Sequence, residues 1–475
     1  MSGFLKDKLY SYPFAFVFLL LASVSAAMLF SRAFFLSSIF ILAIMAFDRR
    51  VFFIGILLVV VMLLLVRSQG NCKGPFSGVV KDVRLSKGIS VLIKNDSCGF
   101  YLFCLPVYDN INIADRVGFK ANLKPIDRLR PSFRRYLDSI GVDYVGFAYY
   151  IQKVGHTPLS VFVKIRNVIE REFHYFLSSR VEYFLDSSFL GDNRFKGRIK
   201  RDFIKTQTSH LLVVSGLHMG FVFGLFYLLF YRLLSFVFYV YSRFNLKVLS
   251  SLLSLPFVVL YFFIAGFHIP AMRSFLMTLI FIVSIVFSLR SASYNALFMI
   301  ASLFLAFNYK ILLNPSFVLS FFMTFVALFL YRLKMLSQIH KYPAFILFTL
   351  LMSLFGMPIV GYYFSSFTPL SILSNTVLIP LFGFVVVPVA FIASLASFLP
   401  YGFVKLSLFG FIDWIVNTFL RFETLFASYS KPMTVSISFY ELVIIYAALF
   451  LSVAVIDRLL HRQDSPRQTL QQSSF

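Results

Sequence analysis

Of 475 residues, 59% are hydrophobic and only 13% charged, with a mean hydropathy of +0.84. Ordinary soluble domains carry about 25% charged residues, so a water-soluble globular protein is excluded and a lipid bilayer is the solvent that fits. Lys and Arg outnumber Asp and Glu 44 to 20, a formal net charge of +24; basic cytoplasmic loops account for part of this excess, and a polyanionic partner is compatible with the rest.

The chain opens with Lys6 and Lys8 ahead of an apolar run at 11–30, and further apolar runs follow at 33–47 and 51–66. No small-residue cleavage site leads into a polar mature region, so the first run reads as a retained span rather than a signal peptide. Asp48-Arg49-Arg50 separates the second run from the third; with both basic clusters in the cytoplasm, the next region lies outside.

Residues 67–157 alternate short β-branched and aromatic runs with Gly, Asn and Asp turn signals, the pattern of a small all-β domain. About five strands in this length suit an OB-like β-barrel, a fold that binds single-stranded nucleic acid. The region holds fourteen Lys and Arg against seven Asp. A long translocated domain escapes the positive-inside rule, so this excess is its own. Arg128, Arg130, Arg134 and Arg135, with Phe133 and Tyr136 interleaved, suit backbone and stacking contacts to a strand, or else form a solvated basic face. Cys72, Cys98 and Cys104 all fall here; an extracytoplasmic setting allows a disulfide from Cys72 to Cys98 or Cys104.

Residues 158–206 read as amphipathic helices lying along the membrane surface, with a charged outer face and His174 as a surface residue without polar company. Their basic end carries Arg194, Lys196, Arg198, Lys200, Arg201 and Lys205. Nine apolar runs follow, at 211–232, 248–265, 274–289, 293–308, 316–331, 342–361, 370–397, 402–420 and 437–457. The expected architecture is a polytopic α-helical membrane protein of about twelve spans, with an N-terminal extracytoplasmic OB-like domain and both termini in the cytoplasm. Residues 1–66 are N-terminal spans, 207–460 the main membrane domain and 461–475 a polar tail.

Polar groups cost several kcal/mol each when unsatisfied in hydrocarbon, so those inside the apolar runs single out candidate sites. Four clusters emerge. Thr208-Ser209-His210 leads to Ser215-Gly216-Leu217-His218; on a helix Ser215 and His218 share a face and His210 lies about two turns earlier, unless Ser215-Gly216 breaks the helix. Gly266 to Ser274 links two spans and carries His268, Pro270 and Arg273. Asn314-Pro315-Ser316 precedes Leu319-Ser320-Phe321. Ser371, Asn375 and Pro380 lie in a Pro-bearing, potentially discontinuous helix.

Interhelical hydrogen bonding around a water-filled path accounts best for these residues. Metal-dependent hydrolysis through His210, His218 and His268 is the alternative, but no H-E-x-x-H spacing or nearby carboxylate supports a metal. A serine hydrolase at Ser215 lacks a G-x-S-x-G elbow.

The stretch HLLVVSGLHMG resembles the signature of the ComEC family of competence proteins, and the other clusters recur in that family's order: Pro270 to Arg273, Asn314-Pro315 with Leu319-Ser320-Phe321, and Asn375 with Pro380. The β region resembles the family's OB-like domain, including Tyr136-Leu137-Asp138-Ser139-Ile140-Gly141. Ser274 stands where the family usually has Ala, and Asn314 where it usually has an acid. The resemblance implies a channel that passes single-stranded DNA through the bacterial inner membrane during natural transformation, with Thr208, His210, Ser215, Gly216, His218, His268, Pro270, Arg273, Ser320 and Asn375 lining or shaping the path. The partners it implies are single-stranded DNA, membrane lipids, a separate periplasmic DNA-binding protein, and a cytoplasmic helicase or single-strand-binding protein. Longer members continue into a metallo-β-lactamase-like domain whose H-x-H-x-D-H motif is absent here, and no Walker A motif occurs. Neither nuclease nor ATPase activity, and no cofactor, is therefore assigned. A transporter of a small anion is the remaining reading, distinguished by a β domain without DNA affinity.

Overall fold

The computed structural model describes residues 13–29, positions 38, 41, 42, 45, 53–60 and 62, then 76–85, 89–94, 98–104, 115–129, 131–191, 198–236, 244–266, 268–287, 293–333 and 340–472. Helix α1 spans Pro13–Leu29. The predicted run at 33–47 lies largely outside the described residues, whereas the run at 51–66 is helical over 53–60.

The predicted β region holds five strands: β1 Phe76–Leu85, β2 Ile89–Lys94, β3 Gly99–Cys104, β4 Asp115–Pro125 and, after helix α2 (Pro131–Ser139), β5 Tyr144–His156. Neighbours pair in the order β1-β2-β3-β5-β4, and β4 returns to pair with β1, so the sheet closes on itself. All pairs are antiparallel except β3 with β5. Strand alternation buries one face: Val80, Val91, Ile93, Phe100, Leu102, Val117, Phe119, Ala148 and Ile151 fill the interior. Asp115, buried with them, is neutralised by Lys153 at 2.9 Å.

Helix α2 lies over the outside of β3, where Leu137 packs with Tyr101, Ile126 and Val142. It ends at Gly141, whose φ of +72° is the left-handed conformation favoured by glycine. The chain there passes so close to Gly99 that a Cβ at position 99 would sit 1.9 Å from the Gly141 carbonyl oxygen. The Tyr136 to Gly141 stretch is thus a helix end and a tight return into β5. Cys98 is disulfide-bonded and Cys104 is a buried free thiol. Of three cysteines this leaves Cys72, which is outside the described residues.

Helices α3 (Ser160–Phe176), α4 (Ser179–Ser188) and α5 (Arg198–Lys205) follow. The charged face is outward only in part: Lys164, Arg171, Arg180, Lys200, Arg201 and Lys205 are exposed, but other charged groups are not. Arg166 is buried and paired with Glu170 at 2.7 Å, and Glu182 and Asp186 of α4 are buried too. His174 has polar company after all, its Nδ1 lying 2.8 Å from Glu182.

The remaining helices are α6 Gly216–Ser235, α7 Leu246–Ala265, α8 Ile269–Val286, α9 Ser293–Phe307, α10 Pro315–Tyr331, α11 Lys341–Phe364, α12 Ser371–Leu381, α13 Val387–Ala396, α14 Phe403–Tyr429 and α15 Phe439–Gln472. Strands β6 (Ser366–Phe367) and β7 (Met433–Thr434) form a short antiparallel pair. Among the described residues, seven segments can cross a membrane by length and composition: 216–235, 246–265, 269–286, 343–364, 371–396, 403–429 and 439–456. Shorter apolar helices cover 14–26, 294–307 and 315–331. The Pro-bearing run is not broken: a π-helical turn over Phe382–Val386 carries α12 into α13. The tail is not a separate segment, because α15 runs on to Gln472.

The chain forms two compact units. The first takes residues 1–196, 212–318 and 387–414; the second takes 197–211, 319–386 and 415–475. In the first, α14 anchors α3 and α4. Lys405 pairs with Glu172 at 2.6 Å and Asp413 accepts from the Ser178 backbone and hydroxyl. In the second, Phe355, Val326, Leu330 and Val453 form an apolar core.

Candidate functional site

Polar clusters occur in both units. The polar motif, whose residues up to 211 fall in the second unit and the rest in the first, is not one helix. A 3-10 turn over Ser209–Leu212 and an extended link precede α6, whose N-cap is Ser215. His210 therefore has no helical register with His218, and it is exposed. Ser215 and His218 form a reciprocal capping box, with the Ser215 backbone N–H donating to His218 Nδ1 at 3.2 Å. That bond commits the His218 lone pair at Nδ1 to a cap. At 1% exposure His218 packs beside Phe189, whose carbonyl accepts from Tyr261 at 3.0 Å.

The 266–274 segment is a corner rather than a link. His268 is the N-cap of α8, and Pro270, Arg273 and Ser274 lie in its first turns. Nε2 of His268 is 2.8 Å from the Gly191 carbonyl, so that nitrogen carries the proton and donates. Gly216 lets α6 approach α8 closely: a Cβ there would lie 3.3 Å from Ser274 Oγ and 3.9 Å from an Arg273 nitrogen. Among the described residues no group of three His, Cys, Asp or Glu is placed to hold a metal.

The Asn314 cluster ties the β domain down. Asn314 Nδ2 donates to Ser139 Oγ at 3.1 Å, Asn308 Nδ2 to the Ser139 carbonyl at 3.1 Å, and Lys310 pairs with Asp138 at 2.8 Å. Asn314 Oδ1 also caps α10 through the Ser316 N–H at 2.9 Å. Burial disfavours the Lys310 charge, but the hydrogen bond and charge of Asp138 outweigh it and raise the pKa.

The second unit holds the cluster that sequence reasoning missed. Glu423, 1% exposed on α14, accepts at Oε1 from Thr206 Oγ1 at 2.5 Å and Thr208 Oγ1 at 3.0 Å. The two hydroxyls are 2.7 Å apart. Ser374 Oγ reaches the Thr206 carbonyl at 3.1 Å, bringing α12 to the same place. Asp202, one turn before Thr206, is 6% exposed. Among the described residues, Glu423 Oε2, Asp202 Oδ2 and Asn375 Oδ1 are buried with no hydrogen-bond partner. Ser320 lies partly buried in α10, and its carbonyl accepts from Thr324.

The signal for Glu423 was an acid in the apolar stretch after Phe403, which also holds Asp413; it falls just beyond the predicted run at 402–420. Among the predicted basic residues, Arg134 is exposed and paired with Asp127 at 2.5 Å, and Lys200 and Arg201 are exposed on α5. The side chains of Arg128, Arg130, Arg135, Arg194, Lys196 and Arg198 lie outside the described residues.

Helices of spanning length with polar groups satisfied between them, together with a closed β domain, define a polytopic membrane protein. Residues 189–459, more than half of the chain, match the family described as Competence protein, and the chain belongs to that family. Membership gives it a role in DNA uptake for competence. No curated protein and no solved structure matches the chain.

Proposed function

We propose that the protein is a channel that passes single-stranded DNA across the inner membrane during natural transformation. One surface carries this reading. On the outer face of the closed sheet, Phe103 of β3 sits in register with Phe147 of β5, and Tyr149 follows; they are 39%, 47% and 60% exposed. Exposed Lys120, Asn122 and Lys124 of β4 flank them. Aromatic faces beside lysines are what single strands stack and run along, whatever their sequence. The closed order β1-β2-β3-β5-β4 supports the OB-like reading of residues 67–157.

In this reading the β domain receives the strand outside the cell membrane, residues 158–206 hand it on, and about twelve spans, both termini cytoplasmic, conduct it to a separate motor. Thr208, Arg273 and Asn375 shape the path. The test is binding of a fluorescent oligonucleotide to the purified full chain. Each of Phe147→Ala and Tyr149→Ala is expected to cost about 1–3 kcal/mol of affinity. Unchanged binding in the double variant, or equal affinity for duplex, overturns the receiving role.

A further inference from the structure

We infer that Glu423, together with Asp202, forms a proton-binding site buried in the second unit. The argument is one of counting protons. Thr206 Oγ1, Thr208 Oγ1 and Glu423 Oε1 lie 2.5, 2.7 and 3.0 Å from one another, three oxygens with three hydrogen-bonding edges. Two hydroxyls supply two protons, and the Asp202 and Phe203 carbonyls that Thr206 Oγ1 also reaches, at 3.1 and 3.3 Å, can only accept. The third edge is filled only when Glu423 carries a proton at Oε1, donating to one threonine and accepting from the other. The same spacings disfavour a metal ion among these atoms, because oxygens around Na⁺ or Ca²⁺ at about 2.3–2.6 Å from the ion stand further apart than hydrogen-bonded ones.

The second observation is independent of that ring. Among the described residues, Glu423 Oε2 and Asp202 Oδ2 are both buried without a hydrogen-bond partner. Asp202 lies one turn before Thr206, whose Oγ1 also reaches the Asp202 carbonyl at 3.1 Å. Two ionised carboxylates in this position have no compensating cation: among the described residues neither acid has an ion pair, and Lys200, Arg201 and Lys205 of α5 and Arg421 of α14 are exposed. The groups contributed by α12, Ser371 and Ser374, do not titrate, nor does Gln207 of the turn. A bound proton removes the uncompensated charge at no geometric cost. Carboxyl groups held in this way within membrane helices exchange protons in pumps and transporters. The site thus gives the protein a means of coupling its working cycle to proton movement.

Infrared difference spectroscopy of the purified full chain, between acidic and alkaline buffer and in the absence of DNA, tests this. The expected signal is the carbonyl-stretch band of a protonated carboxyl group, shifted in D₂O and lost in Glu423→Gln. Thr208→Val is expected to shift the band without removing it, since one of its hydrogen bonds is gone, and Asp202→Asn to move it as well. Should Glu423→Gln fail to fold, the last two variants decide. A spectrum identical in wild type and variants overturns the inference. So does a band abolished by Na⁺ or K⁺ at fixed pH, which marks a metal-ion site. The absence of DNA from the cuvette keeps either failure separate from that of the channel reading.

Discussion

Asn314 Nδ2 donates to Ser139 Oγ across 175 residues of sequence, at 3.1 Å, while its own Oδ1 caps α10. One amide thus performs two tasks: it starts a membrane helix and it holds the end of the β domain's α2. Asn314→Ala removes both bonds and is expected to cost about 1–2 kcal/mol. Asn314→Asp keeps the cap, and the Ser139 hydroxyl rotates to donate to it. Thermal unfolding of the two variants is expected to rank Asp well above Ala; equal loss from both shows that the Asn314 amide donor, which Asp lacks, is what this junction requires.

Lys310 and Asp138 form a second tie at the same place. The Lys310 pKa is raised in the folded protein, so its contribution is complete below the free-lysine value of 10.5 and is lost only as the pH climbs through the higher folded value. Asp138→Asn is expected to lower stability by on the order of 1 kcal/mol at neutral pH, since the pair is partly exposed. The difference from wild type is expected to close in strongly alkaline buffer. A penalty independent of pH rules out the charge pair as its cause.

These ties were illegible in the sequence, although each residue was in view. Alternation exposed the β region because its two faces meet different solvents, and apolar runs exposed the helices for the same reason. The parallel pairing of β3 with β5 and the docking of Ser139 on Asn314 depend on residues far apart in the chain, which periodicity does not connect. Glu423 shows a different failure. An acid near Arg421 looks like the edge of a membrane segment, yet α14 continues to Tyr429 and buries it. Thr208, read as a polar oddity, turns out to be that acid's hydrogen-bond donor.

His218 is a sharper case. Its side chain accepts the Ser215 backbone N–H, a task glutamine performs at the same helical position. His218→Gln is therefore expected to retain the thermal midpoint and DNA uptake, while Ser215→Ala costs about 1 kcal/mol through the lost cap. Loss of uptake in a fully folded His218→Gln protein shows that the imidazole has chemistry beyond capping.

Cys104 points into the sheet interior, where burial pushes its thiol up to about 11. The thiolate is the reactive form, so alkylation by iodoacetamide at pH 8 is expected to be negligible in the folded protein and rapid in denaturant. Cys98, being disulfide-bonded, is expected to become reactive only after reduction. Modification of Cys104 without denaturation shows that the closed sheet opens at a measurable rate.

The pair between Arg134 and Asp127 bears on how the β domain meets a strand. Both side chains are exposed, at 45% and 68%, so the pair adds little to stability and can be exchanged for a phosphate contact. Asp127→Asn frees the guanidinium while leaving the fold alone. Single-stranded DNA is expected to bind more tightly to this variant, and the slope of log affinity against log salt to steepen by about 0.7, one further phosphate contact. Arg134→Gln is expected to leave the wild-type slope nearly unchanged, because that arginine is already engaged. An unaltered slope in Asp127→Asn places Arg134 outside the strand's track and leaves Lys120 and Lys124 as the electrostatic contacts beside the aromatic row.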